Sequence, residues 1–413
     1  MQIAILNTGN ELLRGATLNT NLTFSGAMLA TIGEEADCAL AVPDEPLIIR
    51  RALASLLQTH ELVIVTGGLG PTADDLTRDI VCGLLNIQQH EAPELRAKLE
   101  KYWLERHPGS SGPPSYYAQA LVPEYAQVMN NCNGTAPGLW IDGTYFKRNV
   151  VVALLPGPPS EFEPMFRDEF LPRLSARRGK QIFTEKFMAS NTSEMAAQEK
   201  IEAVLPPHLR AAYCASVEGT RVFLTGDNSA VVHEFTENVK KTFGNSILAN
   251  GHQDLVDELV ERLAAKSYTV ATAESCTGGM IGAMITAPPG ASNIYPGGVV
   301  CYSNESKQRE LNVSSEILEQ YGAVSRECAT AMVEGVCQRF GTQAGISVTG
   351  IAGPSGGTPQ KPVGLVYVGV MLNGKTAVRE LHLRGDRAQV RRRAAAQALI
   401  LLREMLMSDL TAP

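Results

Sequence analysis

The stretch Ala271-Thr272-Ala273-Glu274-Ser275-Cys276-Thr277-Gly278-Gly279 carries the residue types best suited to chemistry in this chain. It comes after the apolar run at 268–270 and precedes a helix-like segment at 280–286, so a strand delivers a serine to a glycine-bearing turn where a helix begins. Glycines let backbone approach a ligand closely, and the first N–H groups of a helix lack internal partners and attract an anion or an oxyanion. Ser275 is therefore a candidate nucleophile, with Gly278 and Gly279 as candidate substrate contacts. Ser275 and Thr277 can equally serve as plain helix caps. Cys276 is the rival nucleophile on chemistry alone, because a thiolate is intrinsically stronger.

Three later stretches can supply the partners a serine needs. Val300-Cys301-Tyr302-Ser303-Asn304-Glu305-Ser306-Lys307 puts Tyr302 at a strand end and Lys307 one turn into the next segment. No histidine stands in these motifs, which leaves Lys307 as the base, provided burial keeps its amine uncharged; most lysines are solvated charges. The run from Ser347 through Thr349 and Gly353 to Gly357 is a second glycine-rich strand exit, able to offer N–H groups and the Thr349 hydroxyl, or to be a flexible turn. Gly385-Asp386-Arg387-Ala388-Gln389-Val390-Arg391 opens the last helix, where Asp386 can cap and Arg387 or Arg391 can meet a phosphate or face solvent.

The front of the chain carries a different set. Gly9-Asn10-Glu11-Leu12-Leu13-Arg14-Gly15 comes after the first strand, and Thr66-Gly67-Gly68-Leu69-Gly70-Pro71-Thr72-Ala73-Asp74-Asp75 after another. Glycines followed by an acidic pair suit a phosphate loop: Gly68 and Gly70 would offer N–H groups, while Asp74 or Asp75 holds a divalent ion. An aspartate at the start of a helix also complements the helix dipole. The turns at 133–138 and 156–161, the latter with Gly157, are expected on the same rim.

The elements that must position these residues read as alternating strands and helices. Strands at 3–6, 36–42, 62–65 and 150–155, with helices at 20–32 and 44–59, predict a parallel sheet covered on both faces. Ligands of such sheets sit beyond the carboxyl ends of the strands. A middle segment reads as strand 222–225, helix 231–242 and strand 247–248, entered through a basic patch of Arg173, Arg177, Arg178 and Lys180. The last segment has strands at 269–272, 298–302, 345–349, 364–370 and 377–383, with helices near 254–266, 278–286, 326–339 and 387–407. It predicts an α/β sandwich.

At 413 residues the chain exceeds one core, so roughly two or three domains are expected. Its 36 basic and 43 acidic residues give a charge of −7, which favours solubility and is no nucleic-acid footprint; small nucleotides suit it better than DNA. Eight scattered cysteines without a CxxC pair point to reduced thiols in the cytoplasm, and seven histidines without an HxxH or HxxxH pair argue against zinc. No run reaches the roughly 18 apolar residues of a membrane span.

Taken together, the motifs at 9–15, 67–75, 133–138 and 155–161 resemble the molybdopterin-binding-like domain that opens the competence/damage-inducible CinA proteins. Those at 273–279, 302–307, 349–357 and 385–391 resemble the C-terminal domain of the same family. The resemblance implies an α/β chain of three domains. These are a molybdopterin-binding-like parallel-sheet domain at 1–170, a small KH-like α+β middle or spacer domain at 171–250, and an α/β sandwich at 251–413. No GxxG clamp occurs in the middle segment, so RNA binding is not inferred. It also implies deamidation of nicotinamide mononucleotide at Ser275, Lys307 and Tyr302 without a cofactor, with substrate held by Thr349, Gly278, Gly279, Gly353, Arg387 and Arg391. For the front domain it implies an ADP-ribose pyrophosphatase that uses a divalent metal at Asp74, Asp75 and Glu11, with Gly68, Gly70 and Gly157 against the substrate. A homodimer acting in pyridine nucleotide recycling is the expected setting. The alternatives are a non-catalytic competence or DNA-damage accessory and a molybdopterin-binding protein.

Overall fold

A computed structural model describes residues 1–72, 75–178 and 182–410, without the side chains of Arg178, Asp409 and Leu410. Two expected residues, Asp74 and Lys180, lie outside the described residues. The chain forms two compact units, Met1–Thr184 with Thr225–Ser229 and Glu185–Leu224 with Ala230–Pro413.

The first unit is built on a six-stranded sheet in the order Cys38–Val42, Ile3–Thr8, Leu62–Thr66, Arg148–Leu155, Gly138–Tyr145, Ala126–Met129. Successive side chains of a strand point to opposite faces, and here both faces are covered. Ala4, Leu6, Val63 and Val65 enter one core with Ile49 and Leu53 of the helix Pro46–Thr59. Ile3, Ile5, Leu62 and Ile64 enter the other with Leu29, Phe162 and Phe166. That two-sided burial is why these strands read as continuous apolar runs.

The first four strands are parallel, as expected, but the last two join by antiparallel pairings, Gly138–Tyr145 running against both of its neighbours. They arise because Phe146 and Lys147, both at positive φ (46° and 66°), close a tight hairpin between Gly138–Tyr145 and Arg148–Leu155. Since Gly138–Tyr145 runs backwards, its start shares a rim with the ends of the parallel strands, and the turn at 133–138 meets the glycine loops there.

In the middle segment, strands Arg210–Ala215, Gly219–Gly226 and Phe183–Ser190 form a small sheet packed by helices Glu194–Glu202 and Ser229–Phe243 around Phe187, Ile201, Val222 and Phe243. The strand expected at 247–248 is instead one isolated bridge between Ile247 and Ala189.

The last sheet has the order Gly297–Val300, Val270–Glu274, Ala344–Gly350, Leu365–Leu372, Lys375–His382, three parallel strands extended by two antiparallel pairings. Helix Arg326–Phe340 contributes Met332 and Val336 to the core on one face with Ala271 and Ala273. Helices Leu255–Ala265 and Arg387–Leu410 pack on the other face with Val270, Ile346 and Val348. No described helix is long and apolar enough to cross a membrane.

One glycine couples this packing to the helix Asn304–Leu311. A Cβ on Gly335 would stand 2.0 Å from the Leu311 carbonyl oxygen, so the two helices touch through backbone. Gly335→Ala should therefore cost about 1–3 kcal/mol in urea unfolding, as overpacking does, and tilt the helix that bears Lys307. An unchanged midpoint would show that the contact relaxes freely.

Candidate functional site

Ser275 is the first residue past Val270–Glu274, the middle strand of the parallel trio, and its N–H still bonds the Val348 carbonyl at 2.9 Å, extending the ladder by one residue. The turn then passes through Gly278 and Gly279 at φ 63° and 91°, a left-handed path that a Cβ would strain. Lys307 comes from the neighbouring helix Asn304–Leu311, whose start is fixed by a capping box between Ser303 and Ser306. Its side chain is 1% exposed and Ser275 is 8% exposed. Lys307 Nζ donates to Ser275 Oγ at 3.1 Å and to the Cys301 carbonyl at 2.9 Å. No carboxylate pairs with this amine among the described residues.

A cavity of about 250 Å³ opens over this pair, lined by Ser275, Lys307, Tyr302, Thr349, Gly353 and Arg387. Tyr302 is exposed, and its hydroxyl oxygen accepts from Arg387 Nη2 at 2.9 Å. Arg387 Nη1 donates to the Gly353 carbonyl at 2.9 Å, so one guanidinium ties the tyrosine to the second glycine loop. Thr349 is buried and its hydroxyl donates to the Ala323 carbonyl at 2.6 Å, so that proton is already committed. Asn304 also lines the cavity and carried no sequence signal beyond its place in the lysine motif.

Cys276 lines the cavity beside the serine, but burial pushes its thiol up to about 11, against weaker opposing pulls from Lys307, Arg391 and Arg387. A thiol with a raised value stays protonated at neutral pH, and the Lys307 amine bonds the serine oxygen beside it.

Three expected contacts stand elsewhere. Gly278, Gly279 and Arg391 are outside the cavity lining. Arg391 instead grips the back of the turn, Nε on the Cys276 carbonyl at 3.0 Å and Nη2 on the Thr277 carbonyl at 2.7 Å. Nor is the start of the helix Met280–Ile285 open to an anion. The Glu274 carboxylate, 1% exposed, accepts the N–H groups of Gly279, Ile281 and Gly282 at 3.0, 3.1 and 2.8 Å. The sequence shows a glutamate at that position but not the amides that meet it.

In the first unit a larger cavity, about 570 Å³, lies over the strand ends and is lined by Glu11, Gly68, Gly70, Asp75 and Gly157 among others. Asp75 Oδ2 accepts from the N–H and hydroxyl of Thr72 at 2.9 and 2.6 Å, and a Cβ on Gly70 would stand 2.6 Å from that oxygen. Asn7, Asn21 and Glu161 also line this cavity, and sequence reasoning did not single them out. Among the described residues, three metal-competent side chains converge only at Glu185, His233 and Glu237, where Glu237 is paired with Lys240.

A family profile described as a probable molybdopterin binding domain matches residues 4–176, and one described as the CinA C-terminal domain matches residues 252–406. The fold and cavities thus define a chain that joins a molybdopterin-binding-like α/β domain to a separate C-terminal α/β domain. The chain belongs to the CinA family. A CinA-like protein of Dictyoglomus thermophilum is 37% identical over 99% of this chain and 100% of its own length. A CinA-like protein of Gemmatimonas aurantiaca is 38% identical over 98% of this chain and 96% of its own. Among solved structures, the competence/damage inducible protein CihA from Agrobacterium tumefaciens is similar at 36% identity, covering 37% of this chain and 93% of that one with a TM-score of 0.36.

Proposed function

We propose that this chain is a hydrolase that converts nicotinamide mononucleotide to nicotinic acid mononucleotide and ammonia in its C-terminal domain. The observation that carries this reading is the buried contact of Lys307 Nζ with Ser275 Oγ at 3.1 Å. Ser275 Oγ bonds to the carboxamide carbon while the amine of Lys307 takes its proton. The amide oxygen becomes an oxyanion, and each preorganised N–H donor there is worth about 3–4 kcal/mol. Collapse breaks the C–N bond, and ammonia leaves with the proton returned by Lys307, either directly or through Tyr302, whose hydroxyl gives its proton to the nitrogen and is restored by the one on Lys307. Because the Tyr302 oxygen accepts from Arg387, its own O–H remains free to donate. Water then attacks the acyl ester, Lys307 takes its proton, and Ser275 recovers its hydrogen. Arg387 Nε has no partner among the described residues and suits a phosphate oxygen of the substrate.

For the front domain we propose hydrolysis of ADP-ribose to AMP and ribose 5-phosphate. Glu11 and Asp75 put hard carboxylate oxygens on one cavity with the glycine loop, a donor set that fits a divalent ion sharing phosphate oxygens. Such an ion, when bound, would neutralise pyrophosphate charge. Asp75 and Glu11 would hold it, and the loop of Gly68 and Gly70, which lines the same cavity, would offer N–H groups to the phosphates. A cytoplasmic homodimer serving pyridine nucleotide recycling completes the reading.

Incubating the purified chain separately with nicotinamide mononucleotide and with ADP-ribose, with and without Mg²⁺ or Mn²⁺, tests both halves. Ammonia with nicotinic acid mononucleotide, and metal-dependent AMP, are expected. Ammonia without AMP would leave the front half a binding domain, and neither product would overturn the proposal. Asp75→Asn should abolish AMP formation while leaving ammonia release intact.

A further inference from the structure

We propose that Glu274 and Arg391 are positioning residues that clamp the Ser275 turn from its donor and acceptor sides, making the N–H group of Cys276, which lines the cavity beside Ser275, the oxyanion donor of this turn. The inference rests on the amidase reading and specifies its electrostatics.

Peptide planarity sets the direction of these amides. In a trans peptide the C=O of one residue and the N–H of the next point in opposite directions, so fixing the carbonyl fixes the amide. The Ser275 carbonyl accepts from Gly278 N–H at 3.1 Å, which fixes the 275–276 plane and aims Cys276 N–H the other way. The Cys276 carbonyl is held by Arg391 Nε, which fixes the 276–277 plane and aims Thr277 N–H away from the arginine. Arg391 Nη2 holds the Thr277 carbonyl and so the third plane, whose N–H is the Gly278 donor already used. Past it, Glu274 consumes the amides of Gly279, Ile281 and Gly282. Of the two turn amides that donate to no other described residue, Thr277 is fully buried outside the cavity lining, and Cys276 lines the cavity.

Each clamp residue is chemically specific. A buried carboxylate is costly unless hydrogen-bonded, and the three amides satisfy Glu274 where a neutral side chain would turn an N–H toward them. A guanidinium spans two successive carbonyls with two fixed donors, which a lysine's single ammonium does not reproduce. The clamp also has a consequence for the substrate: with Glu274 seated at the helix start, the phosphate of a nucleotide is repelled there and is directed toward Arg387.

The test compares wild type, Glu274→Gln, Arg391→Lys and Arg391→Gln for ammonia release from nicotinamide mononucleotide, with thermal melting of each. If the clamp positions the Cys276 N–H as an oxyanion donor, kcat falls about 100-fold in Glu274→Gln and Arg391→Gln while KM stays within about twofold, and Arg391→Lys recovers only part of the loss. Should Glu274→Gln not fold, the partly exposed Arg391 variants carry the comparison. A rise in KM at unchanged kcat would make Arg391 a phosphate ligand and overturn the clamp, as would variants as active as wild type. A wild-type chain that releases no ammonia would overturn the amidase reading itself.

Discussion

Ser275→Ala should lower kcat for ammonia release from nicotinamide mononucleotide by at least about a thousandfold, whereas Cys276→Ala should stay within about tenfold of wild type. The two residues are neighbours on one turn, so the contrast is decided by protonation and partners. Lys307 Nζ touches the serine oxygen at 3.1 Å. Cys276, 5% exposed, has its thiol pushed up to about 11 by burial. An acid with a raised value keeps its proton until pH approaches that value, so almost no thiolate exists between about pH 6 and 9. A cysteine mechanism would therefore climb in rate, and Cys276 would become alkylated by iodoacetamide, only as pH nears 11. A serine mechanism shows no such climb, and Lys307→Met should be nearly as inactive as Ser275→Ala because the base is lost with the nucleophile intact. Retained activity in Ser275→Ala together with loss in Cys276→Ala would reverse the assignment.

The sequence carried the residues of this cavity better than their contacts. Ser275, Lys307, Tyr302, Thr349, Gly353 and Arg387 come from four separated motifs and line one cavity, because strand exits of a parallel trio share an edge. Arg391 sits one helical turn beyond Arg387, and spacing alone cannot say which of the two faces a ligand; the carbonyls it binds belong to a turn more than a hundred residues away. Glu274 was hidden for a related reason, since a helix start looks open to an anion until a side chain from the preceding strand is seen to fill it. In the first unit the antiparallel strand Gly138–Tyr145 carries no turn signal because its hairpin with Arg148–Leu155 is closed by Phe146 and Lys147 rather than by an Asn-Gly or Asp-Gly pair. The apolar runs of the parallel strands, by contrast, announce burial on both faces directly.

The second large effect concerns stability. Glu258 on Leu255–Ala265 and Arg403 on Arg387–Leu410 are 1% and 3% exposed, and Arg403 Nε and Nη2 both meet the Glu258 carboxylate. Arg403 also donates to the carbonyls of Asn245 and Ile247 at 2.7 and 2.6 Å, while Glu258 accepts from Arg262 and from Ala249 N–H at 2.9 Å. Burial alone would raise the Glu258 value, but hydrogen bonds from Arg403, Ala249 N–H and Arg262 outweigh it and hold the carboxyl below the usual range. Glu258→Ala leaves Arg403 buried without its counter-charge, and removing one partner of such a pair costs about 3–5 kcal/mol. Because the folded value is depressed, this stabilisation is complete above the unfolded glutamate value of about 4.3 and is lost as pH falls through the folded one. Urea unfolding of the full chain at pH 7 should show the loss, and the gap between wild type and variant should close on acidification. Amide exchange should localise it to residues 245–249 and the two helices, since local opening tracks the contacts removed. Adding Arg403→Met to Glu258→Leu should restore most of the stability, because the apolar pair strands no charge. A loss in Glu258→Ala below about 1 kcal/mol, or a gap that widens as the solution is acidified, would mean that water reaches this pair and that the packing of the terminal helix, not the ion pair, holds residues 245–249 in place.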